Sequence, residues 1–203
     1  SLLIMTLLTG STARLVSKYD PAALAKAIAE EGVTVINGVP ATYQRLLEHK
    51  AVAGLPKLSR GKLRLMSVAG APLDLDLKSR VEAELGLPLL NGYGITECAP
   101  GISGVRFDAP RGDNSVGTLL PGVEARIVDP ERQPVKEGEV GEIYVRGPHL
   151  SEFTYNNDPG KRREVALGDL VTVGDVGYQD ADGNLYLCDR KNDMIISGGV
   201  NIY

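Results

Sequence analysis

The side chains best suited to chemistry in this 203-residue chain lie in Asn91-Gly92-Tyr93-Gly94-Ile95-Thr96-Glu97. Glycines at 92 and 94 let the backbone approach a ligand closely. Tyr93 offers an aromatic face to a flat ring and Thr96 a hydroxyl to a phosphate oxygen. Glu97 offers a hard carboxylate oxygen to Mg²⁺. A second glycine segment, Val68-Ala69-Gly70-Ala71-Pro72, precedes it. In a third, Gly174-Asp175, the carboxylate is of the kind that accepts from both hydroxyls of a ribose in other nucleotide sites. A fourth, Asp189-Arg190-Lys191-Asn192-Asp193, carries the planar fork of Arg190, a donor to ribose or phosphate. Each segment also has a plain structural reading. These are a glycine-rich turn with Tyr93 in the core and Glu97 in solvent, a turn residue at 175, and a solvated charge cluster at 189–193.

Other reactive types are less well placed. Cys98 has no histidine near it in sequence and reads as a bystander thiol. His49 and His149 are too few and too far apart for a metal site. Asp180-Ala181-Asp182-Gly183 opens like a calcium loop but lacks the later ligands, which leaves a β-turn. Lys161-Arg162-Arg163 reads as a solvated cationic stretch within a polar loop, 152–163.

Two kinds of element must position these residues. Residues 1–95 alternate helix and strand: an apolar, buried helix over 1–9, a strand at 12–16, and a helix capped by Asp20 with Pro21 in its first turn and Gly32 at its end. Strands follow at 33–36, 63–68 and 87–90, with helices at 40–50 and 74–85, the latter closed by Gly86. Buried strands separated by helices imply a parallel sheet covered by helices. In such sheets ligands bind beyond the carboxyl ends of the strands, where the first two glycine segments fall. After about residue 110 the signals become short strands, at 116–119, 125–128, 141–146, 170–178 and 184–189, separated by turns such as Pro121-Gly122 and Asp182-Gly183. That half reads as an antiparallel sheet or small barrel. A last strand at 194–196 has no partner in view.

The composition bounds the function. With 43% hydrophobic and 24% charged residues and a net charge of −4, the chain holds enough apolar material for a large core. No basic face for nucleic acid is implied. No apolar run is long enough to cross a bilayer, and the start lacks the features of a signal peptide. Two cysteines leave no disulfide framework and point to a reducing cytoplasm.

Taken in order, Ala69-Gly-Ala-Pro-Leu, Asn91-Gly-Tyr-Gly-Ile-Thr-Glu, Ser115-Val-Gly, Pro121-Gly-Val, Gly141-Glu-Ile, Gly174-Asp, Asp182-Gly-Asn-Leu-Tyr and the run from Asp189 to Ile202 resemble the adenylate-forming (AMP-binding) enzymes. These include acyl-CoA synthetases, peptide-synthetase adenylation domains and firefly-type luciferases. The wording of 189–202 is most similar to the fatty-acyl or general acyl-CoA ligases. The resemblance implies an α/β layered subdomain with a parallel sheet over 1–110, here partial, followed by a small antiparallel β-barrel over 111–190. The hinge and the start of a further domain would occupy 191–203.

It also implies roles for individual residues. Gly70, Ala71 and Pro72 form backbone walls around the adenine of ATP or AMP, Tyr93 stacks on its other face, and Asn91 and Gly92 are further nucleotide-binding positions. Thr96 binds the α-phosphate and Glu97 holds Mg²⁺, and these two are the catalytic candidates. Asp175 and Arg190 bind the ribose. Val39, Gly94 and Ile95 border the carboxylate pocket. Asn192 stands at the hinge, where relatives carry Asp or Lys, and Gly198 and Gly199 line the path of the CoA thiol. The family's Ser/Thr/Gly-rich phosphate loop ending in Lys is not found in this sequence, nor is its small catalytic domain. The expectation is therefore a fragment of the large domain, inactive alone. An adenylation domain loading a carrier protein and a non-catalytic nucleotide-binding module are the alternatives. Acyl chain length and oligomeric state are not implied.

Overall fold

A computed structural model describes residues 2–98, 101–148, 153–158, 160–190, 195–197 and 200–202. The chain opens with helix α1 (Leu2–Leu8) and α2 (Pro21–Glu30), then strand β1 (Val35–Gly38), α3 (Pro40–Val52), β2 (Leu65–Val68), α4 (Leu75–Leu85) and β3 (Leu89–Gly94). A single 3₁₀ turn, Thr96–Cys98, follows. Strands β4 (Gly101–Gly104), β5 (Thr118–Leu119), β6 (Glu124–Val128) and β7 (Gly141–Arg146) come next, then a short helix α5 (Lys161–Glu164). The remainder is β8 (Ala166–Leu167), β9 (Leu170–Val171), β10 (Asp175–Gln179), β11 (Leu185–Arg190), β12 (Ile195–Ser197) and β13 (Val200–Ile202).

The helix boundaries follow the capping chemistry of the sequence. The Asp20 carboxylate accepts from Ala22 N and Ala23 N, and Asp74 accepts from Leu77 N. Gly86 closes α4 in the left-handed conformation, φ 64°, which glycine adopts without a Cβ clash. The first sheet runs in the order β1-β2-β3-β4-β5. Its first three strands are parallel and its last two antiparallel. Register places Gly38 beside Val68 and Val68 beside Asn91, so all three parallel strands deliver their carboxyl ends to one edge. One core under this sheet joins Ile28, Tyr43, Leu46, Met66, Val81 and Leu89.

The second sheet runs β11-β10-β7-β9-β8, with β6 also on β7. Among the described residues its two end strands do not pair, so the sheet is open and the expected barrel is not closed. Strand β7 is shared by β6 along one side and by β10 and β9 along the other, which fans the sheet out instead of closing it. Its core, built on Ile102, Val116, Ile143, Val145 and Leu185, also takes in Tyr93 and Ile95 from the end of β3.

Several elements differ from the sequence reading. Helix α1 is not buried: Ile4, Met5, Leu7 and Leu8 are 55–77% exposed, with no layer above them among the described residues. Residues 12–16 form no strand. Val16 and Leu15 face solvent, and no neighbouring strand takes their backbone groups. The single strand expected at 170–178 is two, β9 and β10. The chain breaks at Gly174, φ 85°, whose N–H donates to Thr172 Oγ1 at 2.9 Å. Strand β4 and helix α5 had no sequence signal strong enough to announce them. The last strand does find a partner, because β12 pairs antiparallel with β13.

Candidate functional site

At the edge formed by the carboxyl ends of β1, β2 and β3, three turns stand side by side. The first, Gly38-Val39, leads into α3, and Val39 is exposed. The second is Ala69 to Pro72, tied to the first by the Ala69 N–H donating to Gly38 O at 3.1 Å. Gly70 lies at φ 86°, and a Cβ there would sit 3.6 Å from the Val39 side chain, so the two turns are in contact. Gly70, Ala71 and Pro72 present exposed backbone. The third turn carries Ile95, Thr96 and Glu97 directly off β3, with Thr96 exposed and Glu97 half-buried.

The second sheet meets this edge at Tyr93. Tyr93, at the end of β3, donates its hydroxyl to Asp175 Oδ2 at 2.6 Å, a buried contact across 82 residues of sequence. Gly174, in its left-handed turn, starts β10 so that Asp175 is its first residue and is only 7% exposed. Antiparallel register sets Arg190 opposite Asp175. The two residues expected at a ribose are therefore neighbours in the ladder, and Asp175 is bonded to the expected base-binding tyrosine. The plain reading of Tyr93 is also met, since its ring packs with Ile95 and Ile102 in the second core. One side chain does both: the ring holds the joint between the sheets and the hydroxyl fixes Asp175.

Asn91 has a structural task as well. It is buried, its Nδ2 donates to Asn114 O at 3.0 Å, and its Oδ1 accepts from the Gly92 N–H. Ile95 is 6% exposed and sits in the core. Asn192, Lys191, Gly198 and Gly199 lie outside the described residues, as does His149, and nothing of the Arg190 or Cys98 side chain is described. Asp180 to Gly183 is a turn, as read. The Gly183 N–H donates to Asp180 O, and Asp180 Oδ1 accepts from Asp182 N and Asn184 N.

Tyr155 was not singled out in the sequence. Its hydroxyl donates to Glu97 Oε1 at 2.9 Å. Burial, and then the hydrogen bond and negative charge of Glu97, push its phenol up to about 12, so it stays a proton donor at neutral pH. No sequence signal marked it, because the contact spans 58 residues between a turn and a polar loop. Among the described residues no cluster of three or more His, Cys, Asp or Glu side chains forms a metal cage. Two open depressions of about 440 and 450 Å³ lie elsewhere, one bordered by Arg126, Lys136 and Asp180, the other by Lys50, Arg80 and Glu84. Neither includes a residue of the three turns.

The parallel edge, the glycine turns and the acidic residue brought in from a second sheet together define an α/β protein with an appended antiparallel sheet. Residues 1–153 match the model of the AMP-binding enzyme family, and the chain belongs to that family. It is 39% identical over 199 residues to a feruloyl-CoA synthase of Amycolatopsis sp, covering 98% of this chain and 40% of that protein. It is 33% identical over 196 residues to a long-chain-fatty-acid–CoA ligase of Escherichia coli O157:H7, covering 97% and 34%. Among solved structures, ATP-bound MatB from Rhodopseudomonas palustris superposes with a TM-score of 0.85 at 31% identity, covering 98% of this chain and 39% of that one. The o-succinylbenzoate CoA synthetase of Bacillus subtilis, solved with its acyl-adenylate OSB-AMP, gives 0.85 at 28% identity, covering 100% and 40%. The chain thus spans about 40% of the length of relatives that are themselves CoA ligases and synthases.

Proposed function

We propose that this chain forms the nucleoside- and acyl-binding part of an ATP-dependent acyl-CoA synthetase. The whole enzyme would join a carboxylic acid to AMP as an acyl-adenylate and then pass the acyl group to the thiol of coenzyme A. The observation that carries the reading is the buried Tyr93–Asp175 contact beside the turn bearing Thr96 and Glu97. It supports a ribose and base bound across the joint between the two sheets.

In this reading Asp175, oriented by Tyr93, accepts from the ribose hydroxyls, and Arg190 on the adjacent strand donates there. Gly70, Ala71 and Pro72 border the base with backbone, and Tyr93 forms its other side. Thr96 donates to an α-phosphate oxygen, where negative charge grows as the carboxylate attacks and pyrophosphate leaves. Val39, Gly94 and Ile95 border the acid. The residues present fit Mg²⁺: Glu97 is half-buried, Tyr155 engages one of its oxygens, and among the described residues no acidic cage is built around it. Such a site suits an ion held by one carboxylate together with phosphate oxygens. When bound, the ion supplies positive charge against the phosphates. The relatives' names include both an aromatic and a fatty acid, and an apolar acid of the fatty-acyl kind in the cytoplasm is the substrate we favour.

Calorimetric titration of the chain with AMP and Mg²⁺ tests this. AMP should bind, and D175A should weaken it about 10- to 150-fold, the equivalent of about 1.5–3 kcal/mol for charge-assisted hydrogen bonds. Unchanged affinity in D175A would overturn the assignment. The chain alone should show no pyrophosphate exchange, because it carries no Lys-ended loop for the outer phosphates.

A further inference from the structure

Tyr155, in the stretch between β7 and α5, reaches Glu97 at the end of the first sheet's third strand. In the same stretch, Phe153 meets the Tyr155 ring edge-on at 5.4 Å, the planes 83° apart. The Arg162 guanidinium lies over the Phe153 ring, 5.1 Å from its centre. Between them the chain turns back on itself. The Asp158 N–H donates to Tyr155 O, and the Lys161 N–H donates to Asp158 Oδ1 just ahead of α5. A row of contacts therefore runs from Arg162 on α5 through Phe153 and Tyr155 to the Glu97 carboxylate. Edge-to-face rings and a cation over a ring each favour one orientation of the side chains they join.

Glu97 needs such support. It sits on a three-residue turn, half-exposed, with two side-chain torsions before its carboxylate. A carboxylate that must hold a small, geometry-demanding ion gains from having one oxygen fixed by a neighbour, since outer partners orient the ligand.

We propose that Tyr155 is a positioning residue for Glu97: its hydroxyl fixes Oε1 and so commits Glu97 to bind Mg²⁺ through one oxygen. This rests on the reading of Glu97 as the ion's ligand. It assigns Phe153, Tyr155 and Arg162 a role in the site that none of the glycine motifs supplies.

The decisive variant is Y155F. It keeps the ring and its contact with Phe153 and removes only the hydroxyl, so a merely structural role predicts no change in binding. Mn²⁺ serves as the spin-active probe for the Mg²⁺ site, titrated by electron paramagnetic resonance into the 203-residue chain with AMP. Y155F should raise the Mn²⁺ dissociation constant about three- to tenfold with an unshifted thermal midpoint. E97Q should abolish this binding. In tyrosine ¹³Cζ spectra, the resonance missing from Y155F should move in E97Q, which reports the contact without any metal. Normal Mn²⁺ affinity in Y155F, with binding lost in E97Q, overturns the positioning role and leaves the Glu97 reading standing. Binding unaffected by E97Q, or absent in the unaltered chain, overturns the Glu97 reading and the inference with it. A Tyr155 resonance indifferent to E97Q overturns the contact itself.

Discussion

At the scale of single residues, the family motifs divide into those that face the site and those that hold the fold. Ser115-Val-Gly belongs to the second kind. Ser115 is fully buried, donates its hydroxyl to Leu185 O and accepts the Gly117 N–H. Gly117 lies at φ 76°, and a Cβ there would come within 2.1 Å of the Gly104 carbonyl group. G117A therefore combines a left-handed backbone with a backbone overlap, and should cost more than about 2 kcal/mol in chemical denaturation. Gly141 and Gly177 share the overlap without the left-handed backbone, since added Cβ atoms would meet Val128 O at 2.4 Å and Tyr186 O at 2.1 Å. In the sequence Gly117 and Gly141 appear only as parts of the family motifs. Only the packing shows that their neighbour is another strand.

At the scale of elements, α4 and β3 are joined by a buried lysine. Lys78 is 2% exposed, and its Nζ donates to Leu89 O and to Glu82 Oε1, each at 2.8 Å. The same Glu82 oxygen accepts from Leu89 N. Both backbone groups at the start of β3 are thus satisfied from one helix face, which fixes the strand that ends in Thr96 and Glu97. K78M would leave the Leu89 carbonyl without its donor and Glu82 without its cation, and should cost about 2–3 kcal/mol in urea unfolding. K78M/E82L should recover none of this, because the Leu89 N–H then loses its acceptor as well. Helix caps and strand cores at this scale were legible, because Asp20, Asp74 and Gly86 act on their own neighbours. The bend at Gly174 was not, because an apolar run reads as one strand whether or not its middle turns.

At the scale of the whole molecule, titrating groups tie distant segments together: Asp113 joins the two sheets, and Glu84 of α4 joins α3 and the loop after it. Arg111 binds Asp113, Asp113 accepts from the Tyr186 hydroxyl, and the loop before β5 is thereby fixed to β11. The Arg111 guanidinium holds the Asp113 carboxyl below its ordinary value, against burial. Burial pushes the Glu84 carboxyl up, but Lys50 and the Leu58 N–H outweigh it and leave it lowered. Both carboxyls are harder to protonate folded than unfolded. Their stabilisation is complete above the ordinary carboxylate value of about 4 and is lost as pH falls through the lower folded values. The thermal midpoint should therefore be flat near neutrality and fall in acid. D113N and E84Q should each lower the neutral midpoint and flatten the acid limb, which calorimetry across pH would measure.

The sequence by itself determined the helix caps, the parallel strands, the glycine turns at their carboxyl ends and the likeness to one family. All of these are written in residues adjacent or at short spacing, where local sterics and hydrogen bonding act. It did not determine that the second sheet stays open, that α1 lies exposed, or that Tyr155 meets Glu97. Nor did it separate the glycines that admit a ligand from those that admit another strand. Those outcomes depend on which distant surfaces meet. Tyr93 and Asp175 approach only because β3 and β10 are brought to one joint, and no spacing along the chain encodes a contact across 82 residues.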